Sequence, residues 1–212
     1  FGGNSSKSEV RLASKLLIKK DKLIIWDVGA NIGEYTQALL YELKNCHVYS
    51  FEPSPSAYKK LKNRFTNKED RVNIFPFALG NEEGFLPLFG NFDGSVTSSL
   101  TQRQIQDLKF QKLYDVEVKT LKIMAKELQH IPDMLKLDVE GAELDVLKGG
   151  KEIAKEIKLI QFEHGAASLD AGIHFKDLFQ FMTDLNRDIY IITPFGLKHI
   201  PKYLPIYEFQ SA

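Results

Sequence analysis

The sequence predicts an α/β fold built on a doubly wound, mostly parallel sheet. Three observations carry this. Short apolar, β-branched runs alternate with helical patterns from Leu23 to Leu185, and strand–helix alternation means parallel strands joined by helical crossovers. Turn residues separate the segments. Two late apolar runs, 189–193 and 204–209, are joined by a Pro/Gly loop with no room for a helix, which predicts an antiparallel hairpin at the sheet edge.

The elements follow in order. Gly2-Gly3-Asn4-Ser5-Ser6 reads as a flexible leader. Val10, Ala13, Leu16 and Leu17 lie at helical spacing within residues 8–20. Lys7, Arg11, Lys15, Lys19 and Lys20 make that segment basic, either as the solvated face of a packed helix or as a surface for an acidic partner. Core strands are expected at 23–28, 47–52, 72–77, 134–139 and 159–163. Pro76 marks the end of the third. Helices are expected at 32–43, 121–130, 143–147, 152–157 and 175–185, with a break at Gly149-Gly150. Another begins at Ser54 as N-cap with Pro55 at the first helical position. Residues 84–101 are the least regular stretch, with short strands expected at 85–89 and 115–119.

Composition narrows the function. The 212 residues are 43% apolar and 26% charged, as in soluble globular proteins, and a chain this long can bury a core without staples. Lys+Arg and Asp+Glu total 28 each. A balanced charge argues against coating nucleic acid or an anionic membrane. The single Cys46 excludes an internal disulfide and cysteine-built zinc or iron–sulfur sites. It is read as a packing residue in a reducing, cytoplasmic setting. No apolar run approaches the ~20 residues that span a bilayer. The chain begins at Phe1 rather than Met and is read as trimmed or partial, so an upstream signal would be invisible.

Four motifs carry chemistry. Asp27-Val28-Gly29-Ala30-Asn31-Ile32-Gly33 closes the first strand and opens the first crossover helix. Its glycines permit a sharp turn and close approach of a ligand, and its amides suit an anionic group. It lacks the third glycine of the dinucleotide fingerprint. Glu52, closing the second strand, is placed to accept both hydroxyls of a ribose, with Pro53 as a wall against a base. Lys136, Asp138 and Glu140 alternate at the end of the fourth strand, on one face if the strand continues. They are either a charge pair stabilising the strand end or a ligand-facing set. Glu163-His164 closes the fifth strand; the histidine is either a base near carboxylates or a partner of the neighbouring loop.

Taken together, DVGANIGEYT, FEPSPSAYKKL, FALGNEEG, SVTSSL, LKLDVEGAELDVLKGG and QFEHG resemble the FkbM family of S-adenosylmethionine-dependent methyltransferases, over about two thirds of the chain. The resemblance implies a class I, Rossmann-like methyltransferase fold: seven strands in the order 3-2-1-4-5-7-6, the seventh antiparallel. It implies one methyltransferase domain over 21–212, preceded by the leader and helix of 1–20. By the same resemblance Asp27, Gly29, Ala30, Asn31 and Gly33 line the methionine end of the cofactor, continued by Tyr35 and Thr36. Glu52 and Pro53 serve the nucleoside, Ala78 and Leu79 the adenine edge, and Asp138 completes the set. The acceptor it implies is a hydroxyl on a sugar or small natural product, with no nucleic acid partner. One departure stands out: Thr120-Leu121-Lys122 replaces the family's Thr-Leu-Asp.

Methylating a hydroxyl calls for a general base. Asp138, Glu140, Glu143, Glu163 and His164 are the candidates. Glu140 and His164 are preferred, with Lys136 orienting the carboxylates. Asp138 and Glu163 are an alternative Mg²⁺ pair, although no metal site is expected. Residues 84–113, with Phe85, Phe89, Phe92, Phe110 and Ser98-Ser99, are expected either to line the acceptor pocket or to form a satellite core. A non-catalytic nucleoside-binding domain is the alternative to an enzyme, and a nicotinamide-dependent oxidoreductase is disfavoured by the missing glycine. The sequence does not set the oligomeric state.

Overall fold

The computed structural model describes residues 2–17, 21–95, 97–102 and 110–209. Five parallel strands make the main sheet: β1 (Leu23–Val28), β2 (Cys46–Phe51), β3 (Val72–Phe75), β7 (Met134–Leu137) and β8 (Leu159–Phe162), in spatial order β3-β2-β1-β7-β8. The order reverses between β1 and β7. Each core strand expected from the sequence is present, and the first five positions of the expected order hold.

Side-chain alternation along β1 splits the interior into two layers. Leu23 and Ile25 face α1 (Gly2–Leu16), α2 (Glu34–Glu42) and α3 (Pro55–Arg64), packing with Val10, Leu39 and Leu61. Trp26 and Val28 face α4 (Leu121–Leu128), α5 (Glu143–Lys148), α6 (Lys151–Glu156) and α8 (Phe175–Asp184). The short α7 (Ala166–Asp170) lies between β8 and α8. Ser54 caps α3 as its sequence signature indicates, its hydroxyl accepting the Ala57 amide at 3.3 Å. Cys46 is buried in the α1–α3 layer. No described helix is long and apolar enough to cross a membrane.

Four expectations are corrected. Helix α1 already begins at Gly2, within the expected leader, while the expected helical residues 18–20 lie outside the described set. Among the described residues the main sheet has five strands rather than seven. The hairpin is β9 (Ile189–Thr193) with β10 (Gly196–Ile200), a separate two-stranded sheet. It turns tightly because Gly196 takes φ 121° and the Thr193 hydroxyl donates to the Gly196 carbonyl at 2.8 Å. Ile189 and Ile200 join the core cluster of Met182 and Leu185 instead of extending the main sheet. Residues 205–209, expected as a strand, form a 3-10 helix. Pro205 supplies no strand donor, and Glu208 is needed elsewhere: its carboxylate takes the Phe175 and Lys176 amides that begin α8.

A third sheet, β4-β6-β5, comprises β4 (Ala78–Leu79), β5 (Gly84–Gly90) and β6 (Gln111–Lys119). Residues 84–90 are thus more regular than expected. Residues 103–109 of the expected acceptor segment lie outside the described set.

Candidate functional site

A cleft of about 390 Å³ opens at the carboxyl ends of β1, β2, β7 and β8. That is where ligands bind in open α/β sheets, at the point of strand-order reversal. Its walls include Asp27, Gly29, Ala30, Asn31, Tyr35, Glu52, Pro53, Ala78, Leu79, Lys136, Asp138, Glu140 and Glu163. The structure therefore brings together most of the site residues singled out from the sequence.

Glu52 is buried and fixed by two backbone amides. Its Oε2 accepts from Asn31 and its Oε1 from Ser54, both at 2.8 Å. Burial pushes its pKa up to about 7, against these two hydrogen bonds. Asn31 sits at φ 48°, and its buried Oδ1 has no hydrogen-bond partner among the described residues, so a polar acceptor is left at the cleft wall.

The glycine loop works differently from its reading as a ligand cradle. The Gly29 and Ala30 amides both donate to the Phe51 carbonyl at 3.0 Å, and the Gly33 amide donates to Ala30 at 2.8 Å. These amides close the loop rather than await an anion. Gly29 takes φ 81°, and a Cβ there would stand 1.8 Å from the Asp138 carbonyl oxygen. It is glycine because β7's exit crosses it. Gly33 packs on Leu61 and Phe65 and does not line the cleft. Thr36 also lies beneath it, donating to Asp27 Oδ2 at 2.5 Å and meeting Ser50 Oγ at 2.9 Å.

The sheet register sets a polar row across four strands: Ser50, Asp27, Lys136 and Gln161 are successive neighbours. Asp27 is buried, which raises its pKa to about 6 against the Thr36 hydrogen bond and the Lys136 charge. Lys136 lies 3.4 Å from Asp138 Oδ2 and 5.4 Å from the centre of the Tyr35 ring. Glu163 reaches the same corner. Burial and the Asp138 charge raise its pKa to about 7, Lys136 opposes, and its protonated form hydrogen-bonds to Asp138. Asp138, Glu163 and Lys136 thus form one charge cluster in the cleft lining, with Lys136 buried and Glu163 exposed.

The remaining base candidates separate. Glu140 lines the cleft at φ 53°, a strained conformation for a non-glycine residue, with its carbonyl held by the Ser99 hydroxyl at 2.8 Å. Glu143 folds back instead: its Oε1 accepts the Val139 and Gly141 amides at 3.2 and 3.3 Å. It shapes the loop after β7 and stays outside the cleft. His164 is corrected. Following Glu163 just past the end of β8, its side chain lies in a second cavity beside Phe175 and Tyr207 instead of the cleft. Among the described residues no cluster of three or more His, Cys, Asp or Glu is arranged to hold a metal ion.

Sequence reasoning missed Glu9, which comes from α1 to line the cleft. Its Oε2 accepts from Gln161 at 2.8 Å, and Gln161 in turn accepts from the Tyr35 hydroxyl at 2.6 Å. Only the tertiary placement of α1 reveals this. Leu88, Ser95, Ser98, Ser99 and Leu100 also line the cleft. The expected aromatics do not: Phe85 and Phe92 are exposed, and Phe89 pairs with Ser99. Lys122, the departure from Thr-Leu-Asp, sits in the first turn of α4, where Thr120 is the cap, outside the cleft lining.

Residues 27–189 match the family model of the methyltransferase FkbM domain. The chain belongs to the FkbM methyltransferase family. It is 28% identical over 169 residues to the 2-O-methyltransferase NoeI of Sinorhizobium fredii, covering 74% of this chain and 69% of that one. It is 26% identical over 181 residues to the hexuronic acid methyltransferase AglP of Haloferax volcanii, covering 78% and 67%. A putative rRNA methylase from Clostridium thermocellum shares the fold, with a TM-score of 0.50 at 12% identity, over 89% of this chain and 83% of that one. This FkbM protein is an S-adenosylmethionine-dependent methyltransferase. The cleft fits such a donor: an amide-fixed carboxylate at Glu52, a buried acceptor at Asn31 with no partner among the described residues, and apolar walls at Pro53, Ala78 and Leu79.

Proposed function

We propose that this FkbM methyltransferase methylates a hydroxyl of a sugar or uronic acid, with Glu163 as the general base in a cluster with Asp138 and Lys136. The observation that carries the proposal is that cluster in the cleft lining, with Glu163 poised at about 7. The name of the 2-O-methyltransferase NoeI supports an oxygen acceptor, and that of the hexuronic acid methyltransferase AglP supports a carbohydrate one.

When bound, the donor supplies a methyl carbon already made electrophilic by a positively charged sulfur. The chain has three tasks left. Glu52 takes the ribose hydroxyls, Asn31 offers Oδ1 to a donor on the same ligand, and Pro53, Ala78 and Leu79 flank the adenine. Asp27, Tyr35 and Lys136 shape the methionine end. The acceptor hydroxyl points at Glu163, which takes its proton as the oxygen becomes nucleophilic. A base matched to the working pH in this way contributes roughly 10²–10⁴-fold. Lys136 holds Glu163 within reach of neutrality, and the strained Glu140 segment with Ser99 borders the acceptor.

The test is transfer of radiolabelled methyl to a panel of methyl glycosides of deoxyhexoses, hexoses and hexuronates, with the product bond identified by mass spectrometry and NMR. An O-methyl ether on a sugar is expected. Transfer only to amines or nucleic acid would overturn the reading.

A further inference from the structure

We propose that the cavity on the outer side of β8 is a second ligand site, for a neutral amphiphile whose hydroxyl hydrogen-bonds to His164 while its aliphatic chain fills the apolar walls. The cavity measures about 790 Å³, the size of small-molecule pockets, which are mostly apolar with a few placed polar groups. Ile160 and Phe162 come from β8, Met182 and Leu185 from α8 and its end, and Ile189 and Ile191 from the hairpin. The cavity exists because β8 is the edge of the main sheet and the hairpin stands apart from it.

Charged lining residues such as Lys155, Glu156, Lys158 and Asp188 are exposed, while His164 is a buried polar group, its side chain 5% exposed. Among the described residues neither ring nitrogen has a partner within hydrogen-bond distance, and the nearest charge is Glu208 Oε2, 3.7 Å from Nε2. Glu208 is occupied elsewhere: Oε2 takes the Phe175 amide at 2.7 Å, and Oε1 takes the Lys176 amide at 3.0 Å and the Tyr203 hydroxyl at 2.7 Å. Burial favours the neutral imidazole, against the pull of Glu208. A neutral imidazole has one donor and one acceptor on different edges of the ring, and a hydroxyl, able to donate or accept, can serve whichever of the two faces the cavity. The Glu208 charge disfavours a carboxylate ligand at the same place. A buried unmatched polar group beside apolar walls is unfavourable, and such a ligand satisfies one of the two ring nitrogens.

Glu9 lines both this cavity and the cleft. The partition between them is the Tyr35–Gln161–Glu9 hydrogen-bond chain. The amphiphile therefore has two possible sources: the apolar portion of an acceptor whose reacting group lies in the cleft, or a separate molecule. The site itself does not depend on the proposed acceptor or base.

Isothermal titration of the chain with 1-decanol and with decanoate at pH 7.5 tests this. Saturable binding of one decanol per chain is expected, with decanoate at least about tenfold weaker. His164→Phe should weaken decanol by about tenfold or more. Ile191→Trp, which fills the cavity, should abolish binding while S-adenosylhomocysteine still binds normally, showing an intact fold. No saturable decanol binding, or unchanged binding in Ile191→Trp, would overturn the site; decanoate binding as tightly as decanol would overturn the hydroxyl assignment. A KM raised by Ile191→Trp for decyl but not methyl glycosides assigns the chain to the acceptor. Decanol binding without competition against a decyl glycoside assigns it to a separate amphiphile.

Discussion

Lys136 stands beside Asp27 in register, one strand over, at the point where the strand order of the main sheet reverses. The pair places a buried cation between two groups of carboxylates. It lowers the pKa of Asp27 on one side and of Glu163 on the other, each against a larger effect of burial. Lys136→Met keeps the volume and removes the charge. Glu163 then holds its proton to higher pH, so the midpoint of the pH–rate profile moves above 7 and the rate at pH 6 falls by about tenfold. Single-turnover methyl transfer over pH 5.5–9 checks this; an unchanged midpoint would remove Lys136 from the cluster's electrostatics.

Glu52 is the next point of leverage. In Glu52→Gln one amide nitrogen must face a backbone N–H, of Asn31 or Ser54, and the ligand loses a charged acceptor. Hydrogen bonds to charged groups are worth roughly 1.5–3 kcal/mol. S-adenosylhomocysteine affinity, read by calorimetry, should fall by about 10–100-fold. Unchanged affinity would move the nucleoside elsewhere.

Gly29→Ala tests the loop. Its Cβ would lie 1.8 Å from backbone oxygen at a φ of 81°, so β1 and β7 must separate. A loss of about 3 kcal/mol or more is expected, lowering Tm by about 10 °C. A Tm within a degree or two of wild type would show that the loop yields.

Stability should depend on pH with a definite sign. Glu52 and Glu163 titrate at about 7 in the folded chain, well above the ordinary carboxylate value. The folded state binds these protons more tightly than the unfolded state, so this stabilisation is full at acid pH and lost as pH rises through 7. His130 and His164 are shifted downward and act in the opposite sense, but only up to their ordinary range near 6.5. Between pH 6.5 and 8 the carboxylates dominate, and Tm should fall. Glu52→Gln should flatten that fall; calorimetric scans showing an equal slope in both proteins would contradict it.

The sequence made the parallel core legible because its strands are short apolar runs with clear turn signals, and because Ser54-Pro55 is an unambiguous helix start. The carboxyl-end residues Asp27, Glu52, Lys136, Asp138 and Glu163 followed from that strand placement. The hairpin was misplaced because the turn at Thr193–Gly196 is tighter than the Pro/Gly content suggested, so the returning strand is 196–200 and Pro205 begins a helical turn. Glu163 lines the cleft and His164 the second cavity; both lie just past the end of β8, where the path of the following loop decides which enters the cleft and composition does not. Glu9 and the polar row Ser50–Asp27–Lys136–Gln161 depend on helix docking and register, which are long-range facts. Glu143 accepts loop amides and stays outside the cleft lining, because a charge carries the same signal in sequence whether it serves a ligand or a loop.

The most direct test of the central claim is single-turnover methyl transfer to a sugar hydroxyl by wild type and Glu163→Gln across pH 5.5–9. The account predicts a wild-type rate that climbs to a plateau through about pH 7. In the variant it predicts a loss of roughly 10²–10⁴-fold with that rise absent and S-adenosylhomocysteine binding retained. A variant that transfers methyl at the wild-type rate with the same pH profile would contradict Glu163 as the base.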